Sequence, residues 1–513
     1  MPIVSVTLKD GRIITIPYNT ATNLFELLTQ HEDTQVRSAC QKNGTCGLCL
    51  VSIESGTVSD LTYHEIARLN KKQLEKNIRL ACQVEVFDTV SVSLINPLII
   101  HALDYLPICS PLANARYQIA VDLGSTQIRL SLWDSIHQQR VASYCYFNPQ
   151  AYYGTDILQR LMIAKEDSTA MQVMSKLVFS TIRHVLSEWQ TKGFLIEQIL
   201  IVGNTAMLAL LAKKHYERLL NPEYWMQYIE LSLDIKQLCA IPIDIVQPLA
   251  GFVGSDLLAG VLTTHLINTQ DTVLFIDFGT NTELALWHQG QLWVTSVPGG
   301  PAFEGCGISC GVAAEIGAVA RIEYDELTDR FTGELIGDTD VIKGLCGSAL
   351  CDLVACLIKA KRLKPNGRFV ENLPQLEFEL GNLNYTVSIE KHDIDVFQRA
   401  KAAIGAAIFE LLNLAGVSQY QLAKLYIAGA FGQFLNITHA QLIGLLPDCA
   451  SNQVELVGNT ALIGCELLLT DSIYQQDLIH LRQRTHSINL SKIMSYEDAF
   501  VHNLFLRPIP LSL

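Results

Sequence analysis

Residues 117–134 read YQIAVDLGSTQIRLSLWD. A mostly apolar stretch, Gln118-Ile119-Ala120-Val121, ends at Asp122, a Gly-Ser-Thr turn follows, and Gln127 to Trp133 alternates apolar with polar residues. The pattern predicts a hairpin whose first strand is buried. Its turn rests on Gly124, which is free to take a positive φ. Amides and hydroxyls of Gly124, Ser125 and Thr126 can cradle a phosphate, and Asp122 at the strand end is placed to hold Mg²⁺ through water.

The arrangement returns 155 residues later. Val273-Leu274-Phe275-Ile276 runs into Asp277-Phe278-Gly279-Thr280-Asn281-Thr282-Glu283. Two such turns suggest two related lobes that grip a β,γ-phosphate pair. GxxxxGK[ST] is absent, and the chain returns as a strand instead of opening a helix, so neither a Walker A loop nor a dinucleotide fingerprint is present. A third strand, Lys424 to Ile427, leads into Ala428-Gly429-Ala430-Phe431-Gly432, whose glycines allow backbone to approach a flat adenine. Strands of this kind alternating with long helical patterns predict an α/β fold from Tyr117 onward.

The first 97 residues read differently. Alternating Val4, Val6 and Leu8, a turn at Gly11, a short helix over Asn23–Gln30 and late strands through Val84–Val92 predict a small β-rich domain. It carries Cys40, Cys46 and Cys49 as C-x5-C-x2-C, with Cys82 following in RLACQV. Four thiolates, three from one loop curled at Gly44 and Gly47 and one from a distant strand, are what an iron–sulfur cluster needs. Zinc favours pairs of short CxxC knuckles, which are missing. The other ten cysteines lack such spacing and read as small buried hydrophobes; a second cluster at Cys306 and Cys310 is the lesser reading.

The N-terminal segment resembles the ferredoxin family, and the three later motifs resemble the superfamily of acetate and sugar kinases, heat-shock chaperones and actin. Asn148-Pro149-Gln150, Gly154, Asp156, Arg160, Val202-Gly203-Asn204-Thr205-Ala206-Met207, Gly254-Ser255-Asp256, Gly300-Pro301-Ala302-Phe303-Glu304-Gly305, Cys346-Gly347-Ser348, Ala400-Lys401-Ala402-Ala403-Ile404 and Val457-Gly458-Asn459 narrow the match. Together they resemble the reductive activators of corrinoid proteins over about residues 1–470. The resemblance implies a multidomain α+β and α/β chain: a β-grasp [2Fe–2S] ferredoxin domain, then a two-lobed ribonuclease-H-like, actin-like ATPase with ATP in its cleft. It implies phosphate 1 at Asp122–Thr126, phosphate 2 at Asp277–Asn281 and adenosine at Gly429–Gly432. Family members often carry a longer linker and middle region than the 20 or so residues here.

The expected division is 1–97 for the ferredoxin, 98–115 for a Pro-containing linker, 116–268 and 269–470 for the lobes, and 471–513 for a C-terminal extension. The implied activity is ATP-dependent reduction of Co(II) to Co(I) on the corrinoid-binding protein of a methyltransferase system. An upstream electron donor supplies the electron, and Asp122 and Asp277 hold the Mg²⁺ shell. Glu283 or Glu304 orients the attacking water, Glu283 being favoured for its place just past the turn. Its bland reading is a solvent-facing strand residue. The basic stretch Arg68–Arg79 steers an acidic partner, or is simply a solvated helix face.

Composition bounds these readings. Apolar residues at 49% against 17% charged exclude a disordered chain. The net charge of −14 argues against binding nucleic acid or anionic lipid. Residues 1–97 contribute 9 − 10 = −1 of it, so the acidity belongs to the ATPase part. No secretory signal opens the chain and no apolar run of membrane length occurs, so a cytoplasmic protein is expected. A homodimer stays open. Other readings are an activator of a different low-potential enzyme, a small-molecule kinase with a redox sensor, and a nucleotide-gated binding module.

Overall fold

The computed structural model describes residues 2–8, 11–31, 34, 36, 42–44, 47, 49–69, 71–95, 110–154, 156–235, 237–305, 307–339, 341–371, 373–429 and 431–510. Cys40, Cys46, Cys306, Ala430 and residues 98–109 of the expected linker lie outside that set. The chain forms two compact units, Met1–Pro222 with Leu231–Val246, and Glu223–Glu230 with Gln247–Leu513.

The first unit opens with a β-grasp. Strand β1 (Ile3–Thr7) pairs antiparallel with β2 (Ile13–Pro17); helix α1 (Leu24–Leu28), β3 (Leu50–Ser55), helix α2 (Tyr63–Arg68), β4 (Ile78–Leu80) and β5 (Val90–Leu94) follow. The sheet order is β2-β1-β5-β3-β4, with β1 and β5 parallel at the centre. Period-two burial explains the strands: Val4, Val6, Val90 and Val92 point inward and meet Leu24, Phe25, Leu27 and Leu28 of α1 in one core. Asn23 starts α1 by accepting the amide of Phe25 on its side-chain oxygen.

The same unit then builds a second sheet from β6 (Tyr117–Leu123), β7 (Gln127–Asp134), β8 (Gln139–Phe147), β9 (Ile196–Gly203) and β10 (Ile241–Ile245). Its order is β8-β7-β6-β9-β10 with a short edge strand Gln237–Leu238. The first three strands are antiparallel; β9 runs parallel to β6 and β10 to β9. Helices α3 (Ile157–Glu166), α4 (Ser168–Thr191) and α5 (Thr205–Ala212) complete it. Helix α5 is apolar after Thr205 and wholly buried, capped by Asn204 on the amide of Ala206.

The second unit repeats the scheme. Helix α6 (Ser255–Leu262) precedes β11 (Thr272–Phe278), β12 (Thr282–His288) and β13 (Gln291–Val297). After α7 (Gly300–Phe303), α8 (Gly347–Lys359) and the 25-residue α9 (Lys391–Ala415), the chain returns as β14 (Leu422–Ala428), α10 (Ile437–Leu442), β15 (Val454–Gly458) and α11 (Thr460–Thr470). The order β15-β14-β11-β12-β13 is the order of the first lobe, with the same strand directions. The internal duplication expected from two Asp-Gly turns is therefore present in the topology. A separate five-stranded sheet containing Ala318–Asp325 and Tyr385–Glu390 is inserted between β13 and β14.

The packing of two segments adds to the expected division. Residues 247–268, assigned by sequence to the first lobe, pack with the second unit: a Cβ on Gly260 would touch Phe275 and Thr460, and one on Gly464 would strike the backbone of Ala259. Residues 471–513 are more than an extension. Strand β16 (Thr485–Ser487) adds in parallel to β13 as the sixth strand, and helix α12 (Tyr496–Asn503) lies on α9. Among the described residues no helix is long and apolar enough to cross a membrane.

Candidate functional site

The candidate redox site forms where the start of β3 meets the end of β4. Ala81 donates its amide to the carbonyl of Cys49, drawing the two strands together at their cysteines. The thiols of Cys49 and Cys82 hydrogen-bond, and Cys82 also receives hydrogen bonds from the Gln83 side chain and the Gly44 amide. Against the opposing effect of burial, these donors bring the Cys82 thiol down to about 7. Gln83 additionally donates to the carbonyl of Lys42 at 2.9 Å, and Asn23 donates to that of Cys82 at 3.0 Å. The first ties the loop to the 3₁₀ turn Ala81–Gln83 that carries the fourth cysteine, and the second ties that turn to the start of α1.

Gly44 curls the loop at φ +71°, and any Cβ there would lie 2.7 Å from that of His64. Gly47 also has a positive φ, of +70°. Two buried sulfurs meeting beneath a loop that donates amide hydrogens fit a thiolate-bound cluster. Cys40 and Cys46, expected as the remaining ligands, lie outside the described residues.

The other cysteines divide. Cys346, Cys351 and Cys356 are buried on or at the start of α8, and burial holds the Cys351 thiol well above its ordinary range and pushes Cys356 up to about 12. Cys145 and Cys465 are also buried. Cys239 is exposed, so reading all ten as buried filler was too broad. Cys310 is half-buried, and desolvation and then the Asp393 charge push its thiol up to about 12; Cys306 lies outside the described residues.

The basic stretch next to this site is less available than its composition suggests. Arg79 is buried and donates from Nε and Nη2 to both carboxylate oxygens of Glu65, at 2.7 and 2.9 Å. Its other hydrogens reach the carbonyls of Ser59 and Asp60. Glu65 also accepts from the amide of Leu80 and closes the capping box of α2 with Thr62. Arg79 thus pins α2 to β4, and it is neutralised there.

Each lobe presents one Asp-ended hairpin. In the first, the closing pair Leu123–Ile128 encloses Gly124, Ser125, Thr126 and Gln127. In the second, Phe278–Thr282 encloses Gly279, Thr280 and Asn281, one residue fewer. Strand four ends against the hairpin in both lobes: a Cβ on Gly203 would lie 2.6 Å from the carbonyl oxygen of Leu123, and one on Gly429 would lie 2.3 Å from that of Phe278. Gly429 has φ +91° and sits beside Asp277 Oδ1. The structure thus brings the expected adenosine turn against the expected phosphate-2 strand end.

The carboxylates differ between lobes. Asp277 pairs directly with Glu283 across β11 and β12, so the two project to the same face. The equivalent partner of Asp122 is Arg129. Glu283 is buried, contrary to its solvent-facing reading. Glu304 accepts the Thr280 hydroxyl on both oxygens at 3.3 Å. Gly300, at the start of α7, touches the turn itself: a Cβ there would be 1.8 Å from the Gly279 carbonyl oxygen.

Phe431 turns inward. Its half-buried ring packs on Phe278 and Phe303, each at 4.9 Å between centroids. Gly432 backs onto Ile427.

Asn148 was not singled out as a site residue, yet it shapes the first turn. Fully buried, it donates from its side-chain amide to the carbonyl of Gly124 at 2.8 Å and from its backbone amide to that of Thr126 at 2.8 Å. Its signal in sequence was Asn before Pro, the cap of a short helical turn, here the 3₁₀ turn Pro149–Tyr153. Lys401 and Arg160 serve packing: Lys401 donates to the carbonyls of Asn503 and Phe505, and Arg160 to that of Gly154. Asn204 and Asn459 of the twin VGNTA segments are helix caps, at the ends of strands four and five of their respective sheets.

Comparison with known proteins agrees with this architecture. Residues 8–86 match the 2Fe-2S iron–sulfur cluster binding domain, 117–269 the RACo middle region, and 271–512 the C-terminal domain of RACo, the ASKHA domain. The corrinoid activation enzyme RamQ of Eubacterium limosum is 26% identical over 390 residues, 69% of this chain. That match spans 64% of RamQ's own length. The Co(II) methylated amine-specific corrinoid protein reductase of Methanosarcina barkeri is 24% identical over 425 residues, 76% of each chain. The solved structure of a reductive activator for corrinoid, iron–sulfur protein shares the fold, with a TM-score of 0.68 at 23% identity over 99% of each chain.

Proposed function

Because the chain belongs to the RACo family of reductive activators of corrinoid proteins from its middle region to its C-terminus, we propose that it uses ATP to drive one-electron reduction of a corrinoid on a partner protein. The observation that carries the reading is the union, in one chain, of a ferredoxin domain in which the Cys49 and Cys82 thiols meet with two hairpins whose first strands carry Asp122 and Asp277 one residue before their ends.

Cys40, Cys46, Cys49 and Cys82 hold a [2Fe–2S] group, which when bound supplies electrons one at a time. The Gly44 amide and the Gln83 side chain donate toward the sulfur of Cys82 and stabilise its thiolate. The substrate is Co(II) in the partner's corrinoid; it gains one electron and becomes Co(I), the form that accepts a methyl group. Plant-type centres sit near about −400 mV. Each 100 mV by which the cobalt couple lies lower costs about 2.3 kcal/mol for one electron. ATP covers such a gap by favouring one conformation of the complex over another.

Amides of Gly124–Thr126 and Gly279–Asn281 hold phosphate oxygens, and Gly429–Gly432 receives the adenosine through backbone. Asp277 does more of the Mg²⁺ work than Asp122, because Glu283 adds negative charge beside it whereas Arg129 offsets Asp122. Glu304 is engaged with Thr280 and sets the turn. Glu283 is the better placed carboxylate for the attacking water.

The test is anaerobic reduction of a cob(II)amide carrier protein by the reduced full chain, followed by visible absorption with and without ATP and Mg²⁺. Co(I) should accumulate only with nucleotide. Asp122→Ala and Asp277→Ala should keep the cluster colour and lose corrinoid-stimulated ATP turnover. Undiminished turnover in both variants would refute the site.

A further inference from the structure

The ferredoxin domain and the first lobe belong to one compact unit, and they meet at Tyr152. Its ring stacks on Phe25 of α1, with centroids 5.8 Å apart and planes 10° from parallel. Its phenol is also within electrostatic reach of Lys42, in the loop between Cys40 and Cys46. Lys42 in turn bonds Glu26, the residue after Phe25, at 2.7 Å. Tyr152 therefore touches the domain where helix α1 and the cysteine loop are joined. Asn23, at the start of that helix, holds the carbonyl of Cys82.

The other end of the same turn is the phosphate-1 hairpin. Tyr152 lies in the 3₁₀ turn Pro149–Tyr153 that Asn148 caps. Asn148 holds the carbonyls of Gly124 and Thr126. Each carbonyl shares a rigid peptide plane with the following amide, that of Ser125 or Gln127. An anion drawn to the amide side of those planes reorients the carbonyl side, which Asn148 holds. Gln150 anchors the turn by donating to the carbonyl of Met174 in α4, so a shift at Asn148 is delivered to the outward residues Tyr152 and Tyr153. Tyr153 braces Tyr152 edge-on at 5.0 Å.

We propose that Tyr152 is a positioning residue that couples nucleotide in the phosphate-1 turn to the seating of the ferredoxin domain on the first lobe. The inference rests on the nucleotide reading given under Proposed function. Phosphate ordering the Gly124–Thr126 turn fixes Asn148 and the 3₁₀ turn, and the fixed Tyr152 holds Phe25 and α1 more firmly. By linkage, a seated ferredoxin domain raises affinity for nucleotide by the same factor. Such coupling needs two arrangements of the Asn148–Tyr153 turn, each favoured by one nucleotide state.

The test uses the full chain with its cluster loaded and the non-hydrolysable analogue AMP-PNP with Mg²⁺. Analogue binding is measured by calorimetry, hydrogen exchange of the peptide containing Leu24–Leu28 by mass spectrometry, and the cluster by visible circular dichroism. In the wild type the analogue should slow exchange in α1 by about fivefold or more and alter the dichroism. Tyr152→Ala should bind the analogue but lose both responses; Tyr152→Phe, which keeps the stacked ring, should retain them. Tyr152→Leu preserves apolar volume and replaces the alanine variant if that one sheds its cluster. Analogue binding without any change at α1 in the wild type overturns the coupling alone. Absence of analogue binding overturns the nucleotide reading and the coupling with it. Responses that survive in Tyr152→Ala or Tyr152→Leu overturn the role of Tyr152.

Discussion

Both carboxylate oxygens of Glu304 accept the hydroxyl of Thr280, at 3.3 Å, across 24 residues of chain. The turn expected to hold phosphate 2 is thereby fixed from α7 as well as from its own strands. Gly300 makes the approach feasible, since any side chain there would collide with the carbonyls of Gly279 and Thr280.

Thr280→Val should raise the KM for ATP about 10-fold with a smaller change in kcat. A hydrogen bond to a charged group contributes roughly 1.5–3 kcal/mol, part of which is regained as Glu304 finds water. Thr280→Ser should restore the wild-type value. Steady-state ATP turnover with saturating corrinoid partner measures both, and equal losses in the Ser and Val variants would exclude the hydroxyl as the cause.

Gly429 and Gly458 offer a paired test of close approach. Both have positive φ, +91° and +66°, but a Cβ on Gly458 meets nothing within 4 Å, whereas one on Gly429 would strike the Phe278 carbonyl. Gly458→Ala should cost about 1–2 kcal/mol from backbone strain alone. Gly429→Ala should cost more and should also weaken nucleotide binding, because it displaces the end of β11 at Asp277. Denaturant midpoints and calorimetric nucleotide titrations on the two variants check the difference.

The Arg79–Glu65 pair should be strongly required. Arg79→Met leaves the carboxylate of Glu65 buried without its guanidinium, which typically costs 3–5 kcal/mol, roughly. The readout is the temperature at which the visible absorbance of the loaded cluster is lost. Arg79→Met with Glu65→Leu should recover part of that loss. If the single variant melts like the wild type, the pair is not what holds α2 to β4.

Lys401 predicts a pH dependence. Burial first, and then the Arg507 charge, bring its ammonium down to about 7 from an ordinary 10.5. Below about pH 7 folded and unfolded chains both carry the proton, and its contribution is constant and at its least favourable. Between about 7 and 10.5 the unfolded chain binds more protons, so stability rises with pH, by up to about 1.4 kcal/mol per unit. Lys401→Met should flatten this rise in denaturant midpoints compared from pH 7 to 10. The neutral amine can still donate to the carbonyls of Asn503 and Phe505, so docking of α12 persists at high pH.

Much of the site was legible because its signals are local. A buried run ending in Asp-Gly and returning as a strand marks a hairpin wherever it occurs, and both hairpins form as read. The VGNTA segments illustrate the limit of such signals. They look like one more sign of duplication, yet one follows strand four of its sheet and the other strand five. What repeats is the helix cap at Asn204 and Asn459, a local device.

By itself, the sequence determined the two kinds of domain, the cysteine spacing, the strand ends at Asp122 and Asp277, and the turns that follow them. All of these depend on residues a few positions apart, where backbone geometry and side-chain alternation leave few choices. Tertiary structure alone decided that Glu283 is buried beside Asp277, that Glu304 is occupied by Thr280, that Arg79 is neutralised by Glu65, and that β16 completes the second sheet. It also decided that Asn148 stands between the phosphate-1 turn and the ferredoxin domain. Those outcomes turn on which distant groups are desolvated together, and the cost of burying a charge or an amide is met only by the partner that the packed chain delivers.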